Sequence, residues 1–68
     1  MQLSLHEQLK LLRLERKLSI LELSKKTQLG IEKLTAYEAG EQIPSKHSLF
    51  VLSTILEVPI SNLVDGIH

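Results

Sequence analysis

The chain has 68 residues, a length that is enough for one small domain with a modest core, and its net charge is zero. Hydrophobic residues make up 43% of it and only two residues are aromatic, so the core must consist mostly of Leu, Ile and Val. No cysteine is present, which excludes a disulfide, a thiolate nucleophile and a cysteine-based zinc site. Residues 1–33 carry a net charge of +3 and residues 34–68 carry −3, so one face can still be basic.

No segment of the sequence predicts membrane insertion or secretion. The apolar runs all fall short of the roughly 20 residues that span a bilayer. The first ten residues lack the apolar core and the small-residue cleavage site of a signal peptide. We therefore expect a soluble, cytoplasmic protein without a membrane partner.

A first helix is predicted from the residue after Ser4 to about Lys17. Ser4 and Glu7 form a capping-box pattern, in which a hydroxyl and a carboxylate satisfy free backbone amides at the start of a helix. Leucines spaced by four and three residues fall on one side of this helix, which we expect to face the core. They are Leu5, Leu9 and Leu12.

Two short helices are predicted next, from about Ile20 to Thr27 and from about Ile31 to Ala39. Ser19 and Glu22 form a second capping-box pattern before the first of them. Residues 27–30, with the sequence TQLG, interrupt the helical pattern and suit a tight turn. The two helices are therefore expected to cross at this turn.

Apolar residues in this helix pair show which sides face inward. Leu23 on one helix and Leu34 and Tyr37 on the other are expected in the core, the latter two at i, i+3 spacing. Gly40 is suited to ending the second helix. Two short helices joined in this way are typical of the unit that places its second helix in the major groove of DNA.

The remaining sequence predicts an irregular connector and two more helices. Ser45 can cap a fourth helix from about Lys46 to Leu56. Its apolar stripe consists of Leu49, Leu52, Ile55 and Leu56. Pro59 breaks this helix and is tolerated in the first turn of a short fifth helix, about Ile60 to Val64, in which Leu63 closes the core. Because no strand-like alternation appears, the predicted fold is all-α, a compact bundle of five short helices.

In the order of its elements the chain resembles the Cro and phage-repressor type of helix-turn-helix, the XRE family. The resemblance covers about residues 5–66, which we expect to form one domain with the helix-turn-helix motif at about residues 20–39. It rests on the segments LKLLRLERKLS, LELSKKTQL, LTAYEAG, IPS and LFVLSTILEVPISNLVDG in that order. The family fold is a lambda-repressor-like bundle of four or five helices. The resemblance further implies an ion pair between Arg13 and Glu38 that braces the recognition helix, the third predicted helix.

The resemblance also implies which residues meet DNA. Ser19 and Ile20, at the start of the second helix, would touch phosphates. Gln42 and Lys46 would grip the flanking backbone. The exposed positions of the recognition helix are Gly30, Ile31, Glu32, Lys33, Thr35 and Ala36. The expected partner is double-stranded DNA, bound by a homodimer.

Several of these positions depart from the family pattern. Relatives usually start the second helix with a glutamine, where this chain has Ile20, and place a small residue in the turn, where it has Gln28. Ile31 can offer only apolar contact, for example with a thymine methyl group, and Glu32 can accept from a cytosine amino group but repels phosphates. With few cations at the interface, we expect weak binding with a shallow salt dependence.

Exposed leucines give a second interpretation. Leu11 and Leu14 are predicted on the side of the first helix that faces away from the core, with Leu3 on the same side, and Ile20 and Ile31 are exposed in the family fold. Several such residues together suggest a surface for a homodimer, a neighbouring domain or a regulatory protein. Alternatively, they are the isolated exposed leucines that are ordinary on any small protein.

Catalytic readings find little support in the sequence. His6, His47 and His68 have no metal-ligand spacing, and the serines are better explained as helix caps or turn residues than as nucleophiles. We expect no catalytic residues, metal or cofactor. Two function classes remain: a sequence-specific DNA-binding regulator, either repressor-like or the antitoxin of a toxin–antitoxin pair, and a degenerate helix-turn-helix that binds another protein.

Overall fold

The computed structural model describes residues 3–64 of the chain, and this range contains five α-helices. They are α1 (Leu5–Glu15), α2 (Ile20–Thr27), α3 (Ile31–Ala39), α4 (Lys46–Leu56) and α5 (Ile60–Val64). These residues contain no strand, so the predicted all-α fold is confirmed. Residues 65 and 66 of the predicted domain lie outside the described part.

Serine residues cap the starts of three helices, as predicted. The Ser19 hydroxyl accepts a hydrogen bond from the backbone amide of Glu22 at 3.0 Å, and the Glu22 carboxylate accepts one from the Ser19 amide at 2.9 Å. The Ser45 hydroxyl likewise accepts from the amide of Ser48 at 3.2 Å. At α1, the Glu7 carboxylate accepts from both the amide and the hydroxyl of Ser4, at 3.3 and 2.6 Å. Each helix start thereby satisfies amides that have no partner inside the helix.

Left-handed residues follow the ends of α1 to α4. They are Lys17, Gln28, Gly40 and Glu57, with φ between 57° and 78°. Glycine adopts this conformation without strain, and it is used only after α3. A Cβ at Gly40 would lie 3.1 Å from Nδ1 of His6, so close packing as well as φ favours glycine there.

The predicted extension of α1 to Lys17 is wrong, because the helix ends at Glu15. Lys17 takes a left-handed conformation, which lets the amide of Leu18 donate to the carbonyl of Arg13 at 3.1 Å and its own amide donate to Leu14 at 2.9 Å. This is the hydrogen-bond pattern of a Schellman motif. The early end turns the chain toward α2.

The core contains one or more residues from every helix. Its buried members are Leu5, Leu9, Leu23, Leu34, Tyr37, Leu49, Leu52, Leu56 and Leu63. The sequence predicts every one of them. It also predicts Leu12 and Ile55 in the core, which are half-buried and pack against the cluster. Helix α3 contacts both α1 and α2, whereas α5 contacts α1 and α4. One side of α3 is therefore held by two neighbouring helices.

Candidate nucleic-acid interface

The turn between α2 and α3 is fixed by side-chain hydroxyls as well as by its backbone. The amide of Gln28 donates to the carbonyl of Ser24 at 2.7 Å, which ends α2. The Ser24 hydroxyl then donates to the carbonyl of Leu29 at 2.6 Å. The Thr27 hydroxyl donates to Leu23 at 2.8 Å and accepts from the amide of Leu29 at 3.2 Å. These bonds set the direction in which the chain enters α3.

The sequence does not predict the contributions of Ser24 and Leu29 to this turn. The sequence predicts only that Leu29 lies in the turn, but it is half-buried and packs against the core. Ser24 has no signature of its own, since a serine within a helix more often faces solvent or bonds to the preceding turn. Its role depends on the left-handed backbone of Gln28, which no local pattern in the sequence indicates.

Helix α3 has an inward and an outward side. Leu34 and Tyr37 are buried, and the Tyr37 hydroxyl lies 3.5 Å from that of Ser48. At 3.6 residues per turn, Glu32 and Thr35 fall near the middle of the opposite side. Both are exposed. Ile31 and Ala39, near the two ends of the helix, are exposed as well, so the outward side is accessible except at the half-buried Ala36.

An ion pair connects α3 to α1. Nε and Nη2 of Arg13 donate to the two carboxylate oxygens of Glu38 at 2.8 and 3.1 Å, and Nη1 donates to the carbonyl of Leu18 at 2.8 Å. The side chains of Arg13 and Glu38 are only 13% and 10% exposed. Hydrogen bonding to Glu38 raises the pKa of the Arg13 guanidinium above its usual value. The predicted pairing is thus present, in a bidentate arrangement that fixes orientation as well as distance.

The residues expected to meet DNA are mostly accessible. Eight of the ten are exposed: Ser19, Gly30, Ile31, Glu32, Lys33, Thr35, Gln42 and Lys46. Ala36 is half-buried. Ile20 is half-buried as well and packs against the core, so its expected exposure is wrong. As the first residue of α2 it contributes to the inward side of that helix.

The charge of this surface is balanced. Lys33 and Lys46 are matched by Glu32 and Glu41, and neither lysine forms an ion pair with another residue in 3–64. The two ammonium groups are therefore available to an anionic partner. The two carboxylates oppose such a partner, because like charges repel over several ångströms in water.

Three exposed leucines lie on α1 or just before it. Leu3, Leu11 and Leu14 are all exposed, as predicted. Leu3 lies two residues before the start of α1 and Leu14 lies in its last turn, so these two leucines are near opposite ends of the helix. They do not form one compact apolar patch.

Other kinds of site find little support in residues 3–64. Within this range no group of three His, Asp or Glu residues could hold a metal ion. No helix there is both long and apolar enough to cross a bilayer. An open pocket of about 430 Å³ is lined by Arg16, Leu18, Lys26, Thr54, Ile55 and Glu57. None of its lining residues lies on α3.

Comparison with known proteins adds one finding. A model of a helix-turn-helix family matches residues 9–63, from the middle of α1 into α5. The match includes α2, the turn at Gln28 and the whole of α3. A search of curated proteins returns no matching relative.

Proposed function

The chain belongs to the Cro and phage-repressor type of helix-turn-helix proteins, the XRE family, and we propose that it is a sequence-specific transcriptional regulator of the repressor type. Domains of this family bind DNA. The observation that carries the proposal is the placement of α3. This helix packs on one side against α1 and α2, while Ile31, Glu32, Thr35 and Ala39 on its other side are exposed.

In the proposed complex α3 lies in the major groove. Ile31, Glu32 and Thr35 face the base edges, because the first residues of a recognition helix enter the groove most deeply. Lys33 lies at the margin of this side, where an ammonium group can reach a phosphate. Lys46, at the first turn of α4, reaches the flanking backbone.

The size of the domain supports binding as a two-fold dimer. The structure measures 29 × 22 × 20 Å. Half-sites on one face of B-DNA repeat about every 34–36 Å, so two copies fit side by side on a pseudo-palindrome. Each copy would place one α3 in one half-site.

The test is a binding titration of the purified protein against DNA from its own promoter region, at several salt concentrations. Two cations per subunit predict a slope of log affinity against log salt of about −2 per subunit. Lys33→Ala is expected to weaken binding to all sequences and to reduce the slope by about 1 per subunit. Lys10→Ala, an exposed lysine on α1, is the matched control and should change neither. Absence of binding even at low salt would refute the proposal.

A second candidate function is a degenerate helix-turn-helix that binds another protein instead of DNA. The exposure of Leu11 and Leu14 on α1 and of Leu3 just before it, together with the balanced charge of the α3 surface, favours it. Leu14→Glu distinguishes the candidates. If this variant abolishes self-association measured by sedimentation, and the wild type binds no DNA, the results support the protein-binding function over the DNA-binding one.

A further inference from the structure

The outward side of α3 is rich in methyl groups. Ile31, Thr35 and Ala39 follow one another at intervals of four residues and form a row, and all three are exposed. Ala36 lies beside this row. Arginine, glutamine and asparagine, the side chains that read bases with paired hydrogen bonds, are absent from α3.

This composition limits what the helix can recognise. Ile31 has no donor or acceptor, so its favourable contacts are apolar ones. The C5 methyl group of thymine is the apolar group that a base pair presents in the major groove. Short side chains at Thr35 and Ala39 also let the helix backbone approach the floor of the groove closely.

We propose that α3 selects DNA by contact with thymine methyl groups, with Ile31 as the principal reader and Thr35 as the second. This inference rests on the proposed function. Four residues of helix rise about 6 Å, close to two base-pair steps of 3.4 Å. Ile31 and Thr35 therefore reach thymines within two or three consecutive base pairs.

Glu32 lies next to this row and further restricts which bases α3 can contact favourably. Its carboxylate oxygens accept hydrogen bonds, so it favours the amino group of cytosine or adenine. The N7 and O6 atoms of guanine are both acceptors and repel it. The recognised half-site is thus a short run of thymines flanked by a base that presents an amino group.

The experiment compares thymine with uracil, which differs only by the missing methyl group. Duplexes are enriched from a random pool with the wild-type protein, and the best one is remade with uracil at each thymine in turn. Loss of one buried methyl contact is expected to weaken binding about fourfold. The position read by Ile31 is then the one at which Ile31→Ala no longer distinguishes thymine from uracil.

A matched control is available in the same chain. Ile60 at the start of α5 is 39% exposed, nearly the same as Ile31 at 41%. Ile60→Ala should keep the full discrimination between thymine and uracil. Circular dichroism of both variants confirms that they are folded.

The outcomes separate the two proposals. If no duplex is enriched, the proposed function fails, and the inference fails with it. If a duplex is enriched but uracil binds as well as thymine at every position, only methyl reading is refuted. If Ile31→Ala discriminates as strongly as the wild type, Ile31 is not the reader.

Discussion

The two sides of α3 differ in how strongly the rest of the protein constrains them. On the inward side Leu34 is 1% exposed and Glu38 is held by Arg13 through two hydrogen bonds. On the outward side, Glu32, Lys33 and Thr35 are exposed, and no side-chain hydrogen bond joins them to another residue in 3–64. The same nine-residue helix therefore carries the fold on one side and the proposed recognition surface on the other. Substitutions on the outward side can change the partner without changing the bundle.

The largest expected effect tests this separation directly. Leu34→Ala should reduce the free energy of unfolding by about 2–5 kcal/mol, because it leaves a cavity between α3 and its neighbours. Ile31→Ala, on the outward side, should reduce it by less than about 1 kcal/mol. Both values are measured by urea unfolding.

A domain of this size has a total stability of only about 3–10 kcal/mol, so Leu34→Ala can be largely unfolded. Leu34→Met is the milder variant, with an expected loss below about 1.5 kcal/mol. Equal losses for Leu34→Ala and Ile31→Ala would show that the two sides do not differ, and the comparison would be wrong.

The second largest effect on stability is expected from the ion pair between Arg13 and Glu38. Arg13→Met leaves the carboxylate of Glu38 nearly buried and unpaired, which we expect to lower stability by about 3 kcal/mol. Glu38→Met should have a similar effect, while the double variant should recover most of the loss. For a domain of this length each kcal/mol shifts the melting temperature by roughly 4–8 °C, so thermal unfolding resolves the cycle.

Arg16 and Glu57 supply the control for this cycle. They also form an ion pair, but their side chains are 41% and 67% exposed. Solvent screening should limit the effect of Arg16→Met to less than about 1 kcal/mol. If Arg13→Met were no more harmful than Arg16→Met, the bracing of α3 by Arg13 would have to be abandoned.

A smaller effect is expected in the turn that leads into α3. Gln28 has a φ of 61°, a conformation that strains a residue with a side chain by about 1–2 kcal/mol. Glycine removes this strain, but it also increases the conformational entropy of the unfolded chain, which costs about 0.5–1 kcal/mol of stability. Gln28→Gly should therefore stabilise the protein by about 0.5–1 kcal/mol.

Gln28→Ala controls for loss of the glutamine side chain, because alanine keeps the Cβ. It should change the free energy of unfolding very little. DNA affinity should stay the same in both variants if the turn only positions α3. A lower stability for Gln28→Gly than for Gln28→Ala would indicate that the backbone of the turn is not strained.

Local rules account for most of what the sequence predicts correctly. Capping residues such as Ser19 and Ser45 and the spacing of apolar residues depend on neighbours within one or two turns, so α2 to α5 are predicted with their observed bounds. The end of α1 is missed because Lys17 is not a glycine, although it adopts a glycine-like conformation. Ile20 is missed because its burial depends on how α2 packs in the bundle. The bases that meet Ile31 depend on a partner, which no rule about the chain alone can specify.

The smallest predicted effect concerns an exposed contact at the start of α2. The Glu22 carboxylate accepts hydrogen bonds from Ser19, chiefly from its backbone amide, and this lowers the pKa of Glu22 below its usual 4.5. Because the folded-state pKa is the lower one, the stabilisation is fully present above about pH 4.5 and is lost as the pH falls through the folded-state value. Glu22→Gln keeps an oxygen acceptor but does not titrate, so urea unfolding should show its difference from the wild type shrinking as the pH falls below 4.5.

Ser19→Ala shows which donor is responsible for this pH dependence. It removes the hydroxyl that caps α2 and should lower stability by about 1 kcal/mol at neutral pH. The backbone amide of residue 19 still donates to Glu22, so part of the pH dependence below 4.5 should survive in this variant. If Ser19→Ala removed all of it, the hydroxyl rather than the amide would be the group that stabilises the charged carboxylate. The stability of the exposed start of α2 would then depend on a side chain, as that of the nearly buried Arg13–Glu38 pair does, and not on the backbone.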